Sequence, residues 1–234
     1  MNDYFIWKGV SCADKGICVL EQPPYTLPKE RLTFTDVPGR SGALTRRQDE
    51  DGEVYDDIIL EPKCIIKDVR NVQELFNYLR GSGQVTFPTR PEGYYEASII
   101  NQIPLDKVMR GRPHRKFSVQ FRCKPFLHLR VCADITVSQS LTAVTNPFPI
   151  SSRPLIKVNG SGDITLMIGT QIVELEDVDG HIMLDCEMQE AYKGDTLLNG
   201  SMTGKFPRLL PGVNYVSWSG TVTSVVISPR WRTI

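Results

Sequence analysis

This sequence lacks the arrangements on which enzymes are usually built. It has no G-x-S-x-G elbow, and none of its cysteines sits in a protease-like context. The Gly-rich stretches Gly39-Arg40-Ser41-Gly42 and Gly81-Ser82-Gly83 do not read as phosphate loops. The first lies between strand-like segments and the second follows a helix-like one, whereas a phosphate loop precedes its helix. Of the 6 cysteines (Cys12, Cys18, Cys64, Cys123, Cys132 and Cys186) no two form a C-x-x-C pair, and the 3 histidines are scattered. These spacings match no zinc signature, so reduced thiols and neither metal nor cofactor are the expectation.

Charge of one sign is missing too. Lys plus Arg number 27 and Asp plus Glu 27, so the 234-residue chain is neutral and has no overall field to draw in nucleic acid. No apolar run approaches the roughly 20 residues that cross a bilayer, so no membrane association is expected. The opening Met1-Asn2-Asp3-Tyr4-Phe5-Ile6-Trp7-Lys8 has neither a basic n-region nor a long apolar stretch. The expectation is a chain made and folded in a cytoplasm.

Several groups could carry chemistry or binding. Carboxylates cluster over Asp49–Asp57 and Glu174–Asp179. An acid/base pair needs two environments that split the pKa values, and both clusters read as solvated hairpin tips. The loop Lys107–Lys116 is strongly basic, with Arg110, Arg112 and Arg115. It lacks the aromatic platforms of a nucleic-acid site and better suits an acidic protein surface. Trp218 lies in an alternating run that favours the core; Trp231, between Arg230 and Arg232, reads as packing the chain end onto the body.

Hydrophobic periodicity gives a mostly β chain with one helix. Tyr4–Val10 reads as an opening strand, and Gln22–Pro28 as a proline-rich loop without ladder donors. Arg31–Val37 alternates strictly, as a strand with one buried face would. After the turn Pro38–Gly42, the segments Ala43–Arg47 and Tyr55–Leu60 read as the arms of a projecting hairpin with an acidic tip at Asp49–Glu53. The helix spans Val69–Arg80, with Val72, Leu75, Phe76 and Leu79 as its apolar stripe, Asp68 as N-cap and Gly81 as the left-handed stop. Strands follow at Gln84–Phe87, Tyr94–Asn101 and Lys116–Cys123, and Pro125–Ala133 marks a boundary. Beyond it, short strands at Pro154–Val158, Ile164–Ile168, Gln171–Leu175, His181–Cys186, Tyr215–Trp218 and Val222–Ile227 indicate a sandwich, with Asn159–Gly162 as a turn.

Two motifs carry a resemblance. The run Asn199-Gly200-Ser201-Met202-Thr203-Gly204-Lys205-Phe206-Pro207-Arg208-Leu209-Leu210-Pro211-Gly212-Val213-Asn214, followed by Pro229-Arg230-Trp231-Arg232, resembles the C-terminal domain of distal tail proteins of long-tailed bacteriophages of Gram-positive bacteria. Val37-Pro38-Gly39-Arg40-Ser41-Gly42, the single helix and the strand Phe117–Pro125 resemble the family's N-terminal domain in the same order. The resemblance implies a ring-forming domain over 1–131, a β-sandwich with one helix and a hairpin, and a galectin-like β-sandwich over 132–234. It implies no enzyme but a hub at the virion tail tip, made in the bacterial host cytoplasm and closing as a hexameric ring. The implied partners are the tail tube protein, the tail-associated or tip protein, and receptor-binding or baseplate proteins.

A ring needs a heterologous interface. Arg40, the acidic Asp49, Glu50 and Asp51, and the basic Arg110, Arg112 and Arg115 are the candidate interface residues, since blocks of opposite sign could meet across it. The rival expectation is a carbohydrate-binding module for host cell-wall glycans, resting on the sandwich and its tryptophans.

Overall fold

The computed structural model describes residues 4–47, 54–66, 72–103 and 115–234. The chain divides into two compact units, Met1–Leu127 with Ile234, and His128–Thr233. Each is almost wholly β.

In the first unit the main sheet runs, neighbour to neighbour, Val10–Ser11, Ile6–Trp7, Ser82–Thr86, Gly93–Ile99, Phe121–Cys123 and Ile58–Leu60, all antiparallel. The opening segment is therefore a hairpin and not one strand. Lys8 (φ 52°) and Gly9 (φ 78°) both take left-handed conformations, which a two-residue turn matching the strand twist requires. A second sheet is ordered Arg115–Ser118, Lys63–Ile66, Ile17–Glu21. The expected strand Lys116–Cys123 is thus split between two sheets. Asn101 bridges the break: its Nδ2 donates to the Ser118 carbonyl at 2.9 Å and its Oδ1 accepts from the Gln120 amide at 2.8 Å.

Both sheets send fully buried side chains inward. Phe121 is the hub of an aromatic cluster, with centroids 5.3 Å from Phe5, 5.2 Å from Trp7 and 5.9 Å from Phe87. Tilted and edge-on rings at such separations add to simple area burial. Among the described residues the helix covers Val72–Tyr78 and so ends two residues before the expected Arg80, while Asp68 lies outside the described residues. Leu75 and Leu79 are buried as expected, but Phe76 is 44% exposed, so the buried stripe is narrower than the sequence implied. Gly81 follows with φ 76°.

The second unit is a sandwich built on two long strands, Leu155–Ile168 and Gly212–Ser228, paired along most of their length. Where two short strands and an Asn159–Gly162 turn were expected, the structure has one strand that bends through register shifts between Asn159 and Gly160 and between Ser161 and Thr165. Likewise Tyr215–Trp218 and Val222–Ile227 are parts of one strand. Bulges let a strand change direction without leaving its ladder. Close approach at this bend demands glycine. A Cβ on Gly160 would sit 2.3 Å from the Thr221 carbonyl oxygen, and one on Gly220 (φ 93°) 2.3 Å from that of Asp163.

On one side of the bend the long strands join Thr142–Asn146, Gln171–Val178 and Met202–Gly204 into a five-stranded sheet. On the other they join Ile135–Val137, His181–Asp185, Glu190–Lys193 and Thr196–Leu197 into a six-stranded one. Ile156, Val158, Leu166, Ile168, Val216 and Val225 are fully buried in the core these strands enclose.

Candidate assembly surfaces

Among the described residues an exposed two-stranded ribbon is formed by Leu32–Thr35 and Leu44–Arg47, registered Leu32↔Arg47 to Thr35↔Leu44. Pairing continues at its base, where Glu30 bridges Tyr55. This corrects the expected hairpin. Its arms are not Ala43–Arg47 and Tyr55–Leu60, and its tip is the turn over 36–43. There Arg40 donates its backbone N–H to the Val37 carbonyl, and Gly39 and Gly42 both have φ 80°. Arg31–Val37 was expected to bury one face; instead every residue from 31 to 43 is exposed. Phe34 is 66% exposed and Val37 37%. The neighbouring proline-rich segment exposes Leu27 to 81%, while Tyr25 donates its hydroxyl to the Thr89 carbonyl and lies under the Arg90 guanidinium.

Ion pairs pin the ribbon's base: Arg31 Nε to Asp56 at 2.6 Å and Arg47 Nε to Glu30 at 2.8 Å. Of the expected interface residues, Arg40 stands exposed in the ribbon's turn and Arg115 opens the strand Arg115–Ser118. Asp49, Glu50, Asp51, Arg110 and Arg112 lie outside the described residues.

The outer face of the first unit's main sheet carries paired polar groups, with the exposed Ile59 across from Arg122. Arg122 pairs with Asp57 at 2.7 Å, Lys124 with Glu96 at 2.5 Å, and the Ser82 and Ser98 hydroxyls meet at 2.7 Å. These groups line a shallow open trough, and nothing in it is arranged as a nucleophile and base.

In the second unit the motif residues turn out to be fasteners. Asn199 Oδ1 accepts the Ala191 amide at 2.6 Å. Gly204 (φ 111°) admits the Ile172 carbonyl oxygen, which a Cβ would meet at 2.6 Å. Asn214 Oδ1 accepts the Leu210 amide at 2.9 Å, while its Nδ2 donates to the Leu210 and Gly212 carbonyls. Asn146, which no motif flagged, donates to the Ile150 and Leu209 carbonyls at 2.9 and 3.0 Å. These amides replace ladder partners for buried loop backbone that water cannot reach.

Pro229–Arg232 closes the sandwich. Arg230, held at φ 47°, makes a two-pronged contact to Asp185 at 2.8 and 2.9 Å. Asp185 also accepts the Glu187 and Met188 amides, each at 3.0 Å. Burial by itself would raise the Asp185 pKa. The Arg230 guanidinium and those amides outweigh it and hold the carboxyl below the usual range. Arg232 is buried and donates to the Ser151 carbonyl at 2.6 Å. Trp218 packs against the core, and Trp231 does so too, beside Phe148 at 6.3 Å. Both indoles are partly buried by these contacts.

All cysteines are free thiols. Burial pushes Cys12 up to about 11 and Cys64, Cys123 and Cys186 to about 12, which makes them poor nucleophiles. Among the described residues no group of His, Cys, Asp or Glu is placed to hold a metal ion, and no helix is long and apolar enough to cross a membrane.

No family model matches the sequence, and no curated protein matches it. Among solved structures the chain is similar to the crystal structure of SPP1 Dit (gp 19.1), a protein described as a paradigm of the hub adsorption apparatus in phages that infect Gram-positive bacteria. The TM-score is 0.75 over 96% of this chain and 98% of that one, at 14% identity. At that identity the likeness is one of fold, and it is the fold of the family that the sequence motifs resemble.

Proposed function

We propose that this chain is a structural component of a bacteriophage tail, a distal tail hub that works by geometry and not by catalysis. The observation that carries the reading is the extent of the fold likeness: it spans both units, with almost nothing left over on either chain. The sequence motifs support it independently, because they lie in both halves and coincide with the turns and fasteners that the fold requires. In this reading copies of the first unit close into a hexameric ring at the tail tip. The tail tube protein lies on one side and the tail-associated or tip protein on the other, with receptor-binding or baseplate proteins around the ring.

The ribbon is the proposed assembly element. A two-stranded hairpin is at best marginally stable alone, and in this one every residue from 31 to 43 is exposed. Arg40 at its turn, and the opposed blocks Asp49, Glu50, Asp51 and Arg110, Arg112, Arg115, are the proposed electrostatic contacts. Native mass spectrometry with negative-stain imaging tests the ring. A closed ring, six copies in the first instance, is expected; a chain that stays monomeric at high concentration and gives no ring rejects the proposal. Reversing Asp49, Glu50 and Asp51 to Lys should weaken the ring at low salt, with the effect shrinking as salt screens it beyond about 10 Å.

A further inference from the structure

The second unit has one sheet face whose centre is uncharged, unlike the outer faces of the first unit's main sheet and of the six-stranded sheet. On the outside of the five-stranded sheet, Tyr215 pairs across from Ala143 and Val213 from Thr145, while Met167 lies between Ser217 and Ile172. Tyr215 is 54% exposed, Val213 57% and Ile172 54%. The centre of this face carries no charge. The outer face of the first unit's main sheet, by contrast, carries Asp57, Glu96, Arg122 and Lys124. The outer face of the six-stranded sheet carries Lys157 and Glu190, on the strands flanking His181–Asp185. Depletion of charge with tyrosine and methionine at the centre is the composition of an interface core. Scattered exposed apolar residues need no explanation, but a contiguous patch does.

The margin of the face says what covers it. Glu174, cross-strand neighbour of Thr165 and Thr203, is exposed, as is Lys205 just beyond the strand Met202–Gly204. Neither makes an ion pair with another described residue. Glu174, with the exposed Glu176 two residues along its strand, and Lys205 put opposite signs beside an uncharged centre, an arrangement that can match itself under a two-fold axis: Glu174 of one copy meets Lys205 of the other, and apolar centre meets apolar centre. We propose that this face docks a second copy of the chain through the same face. The contact is isologous and separate from the heterologous interface of the proposed ring.

Sedimentation of the full chain tests this. Tyr215→Arg and, separately, Ile172→Glu should halve the mass of the wild-type species, whether that species is built from single chains or from rings, so the outcome is independent of the ring proposal. Glu174→Lys alone and Lys205→Glu alone should each weaken the association at least tenfold, because each sets like charges face to face. The double variant should restore it, since the two-fold pairing is then re-formed with reversed signs. A wild-type species no heavier than Tyr215→Arg overturns the proposal and leaves the face to a different protein. So does a double variant as weak as the single ones.

Discussion

The ribbon over Leu32–Arg47 and the bend of the two long strands are both made of alternating residues and glycines, yet they stand at opposite ends of self-sufficiency. On either side of the bend the long strands pair with each other and with further strands over a fully buried inner face, and at the bend Gly160 and Gly220 are wedged against opposing carbonyls. In the ribbon each strand has one neighbour and no inner face, and Gly39 and Gly42 have open space where a Cβ would go. The alternation that signals a half-buried strand is the same in both. It says that one face is to be covered and is silent on whether the chain itself or a neighbour does the covering. Energy deposited at the bend is read as stability of the folded chain. Energy deposited in the ribbon is read as association.

The sharpest way to break this comparison is Gly220→Ala. The added Cβ would press on the Asp163 backbone in a left-handed conformation, at a bulge that the pairs Ser161↔Thr221 and Thr165↔Ser219 hold from either end. The expected loss is about 3 kcal/mol or more, read by urea denaturation of the second unit's transition. An unchanged midpoint would mean that the bend is softer than its geometry implies.

Next in size is Arg230→Ala, which leaves the nearly buried Asp185 carboxylate without its counter-charge. Because Arg230 is itself 33% exposed, the expected cost is about 2 kcal/mol, below the range for fully buried pairs. The sign with pH is fixed. Asp185 is depressed in the folded state, so the pair's contribution is present above its ordinary value of 3.8 and is lost as pH falls below that. The gap between wild type and Arg230→Ala should therefore close in acid; a gap that persists at pH 2 would assign the effect to lost packing. The buried thiols give the opposite limb. Their folded values are raised, so stability should be full below 9.0 and fall as pH climbs towards 12, by about 1.4 kcal/mol per pH unit for each ionising thiol. Replacing Cys186 with Ala should flatten that fall for the second unit only.

How much of this was legible in the residues differs between the two regions. The fasteners were readable as motifs, because Gly204, Asn199 and Asn214 meet local backbone demands that few other residues satisfy. The turn at Pro38–Gly42 was readable too, and Gly39 and Gly42 take positive φ in it. The bend was not: Asn159-Gly160-Ser161-Gly162 has the composition of a tight turn, and only the partner strand, 60 residues away in sequence at Gly220, makes it a bulge in a continuous strand. The exposure of Phe34 was not legible either, nor that of Phe76, since periodicity records which side is apolar and not what lies beside it. The ribbon's pairing is not legible either, because the acidic run has the composition of a tip as much as Pro38–Gly42 does, while the register places 36–43 between the arms.

Gly42→Val addresses the ribbon directly. Its cost comes from φ alone, because nothing lies within 4 Å of the added Cβ, so about 1 kcal/mol of local strain is expected. Little of it should appear in global unfolding, since the ribbon can distort without disturbing the aromatic cluster around Phe121. Proteolysis within 31–47 should accelerate instead. Equal cleavage rates in the variant and the wild type would show that the turn accommodates valine.

The smallest stability effect carries the most information. Phe34 is 66% exposed, so Phe34→Ser removes little buried area and should shift the unfolding midpoint by no more than about 0.5 kcal/mol. If the ribbon is covered by a neighbouring copy or tail component, the same substitution deletes the largest apolar side chain offered to that neighbour. Ring formation should then fail at concentrations where the wild type is fully assembled, while circular dichroism and the urea midpoint stay unchanged. Interface energy concentrates in a few large anchors surrounded by near-neutral contacts, so serine at the adjacent Leu32, only 36% exposed, should weaken assembly less. A Phe34→Ser chain that assembles like the wild type would remove the ribbon from the interface. A chain that loses stability in proportion would show that the ribbon is packed by its own unit, and the contrast with the bend would disappear.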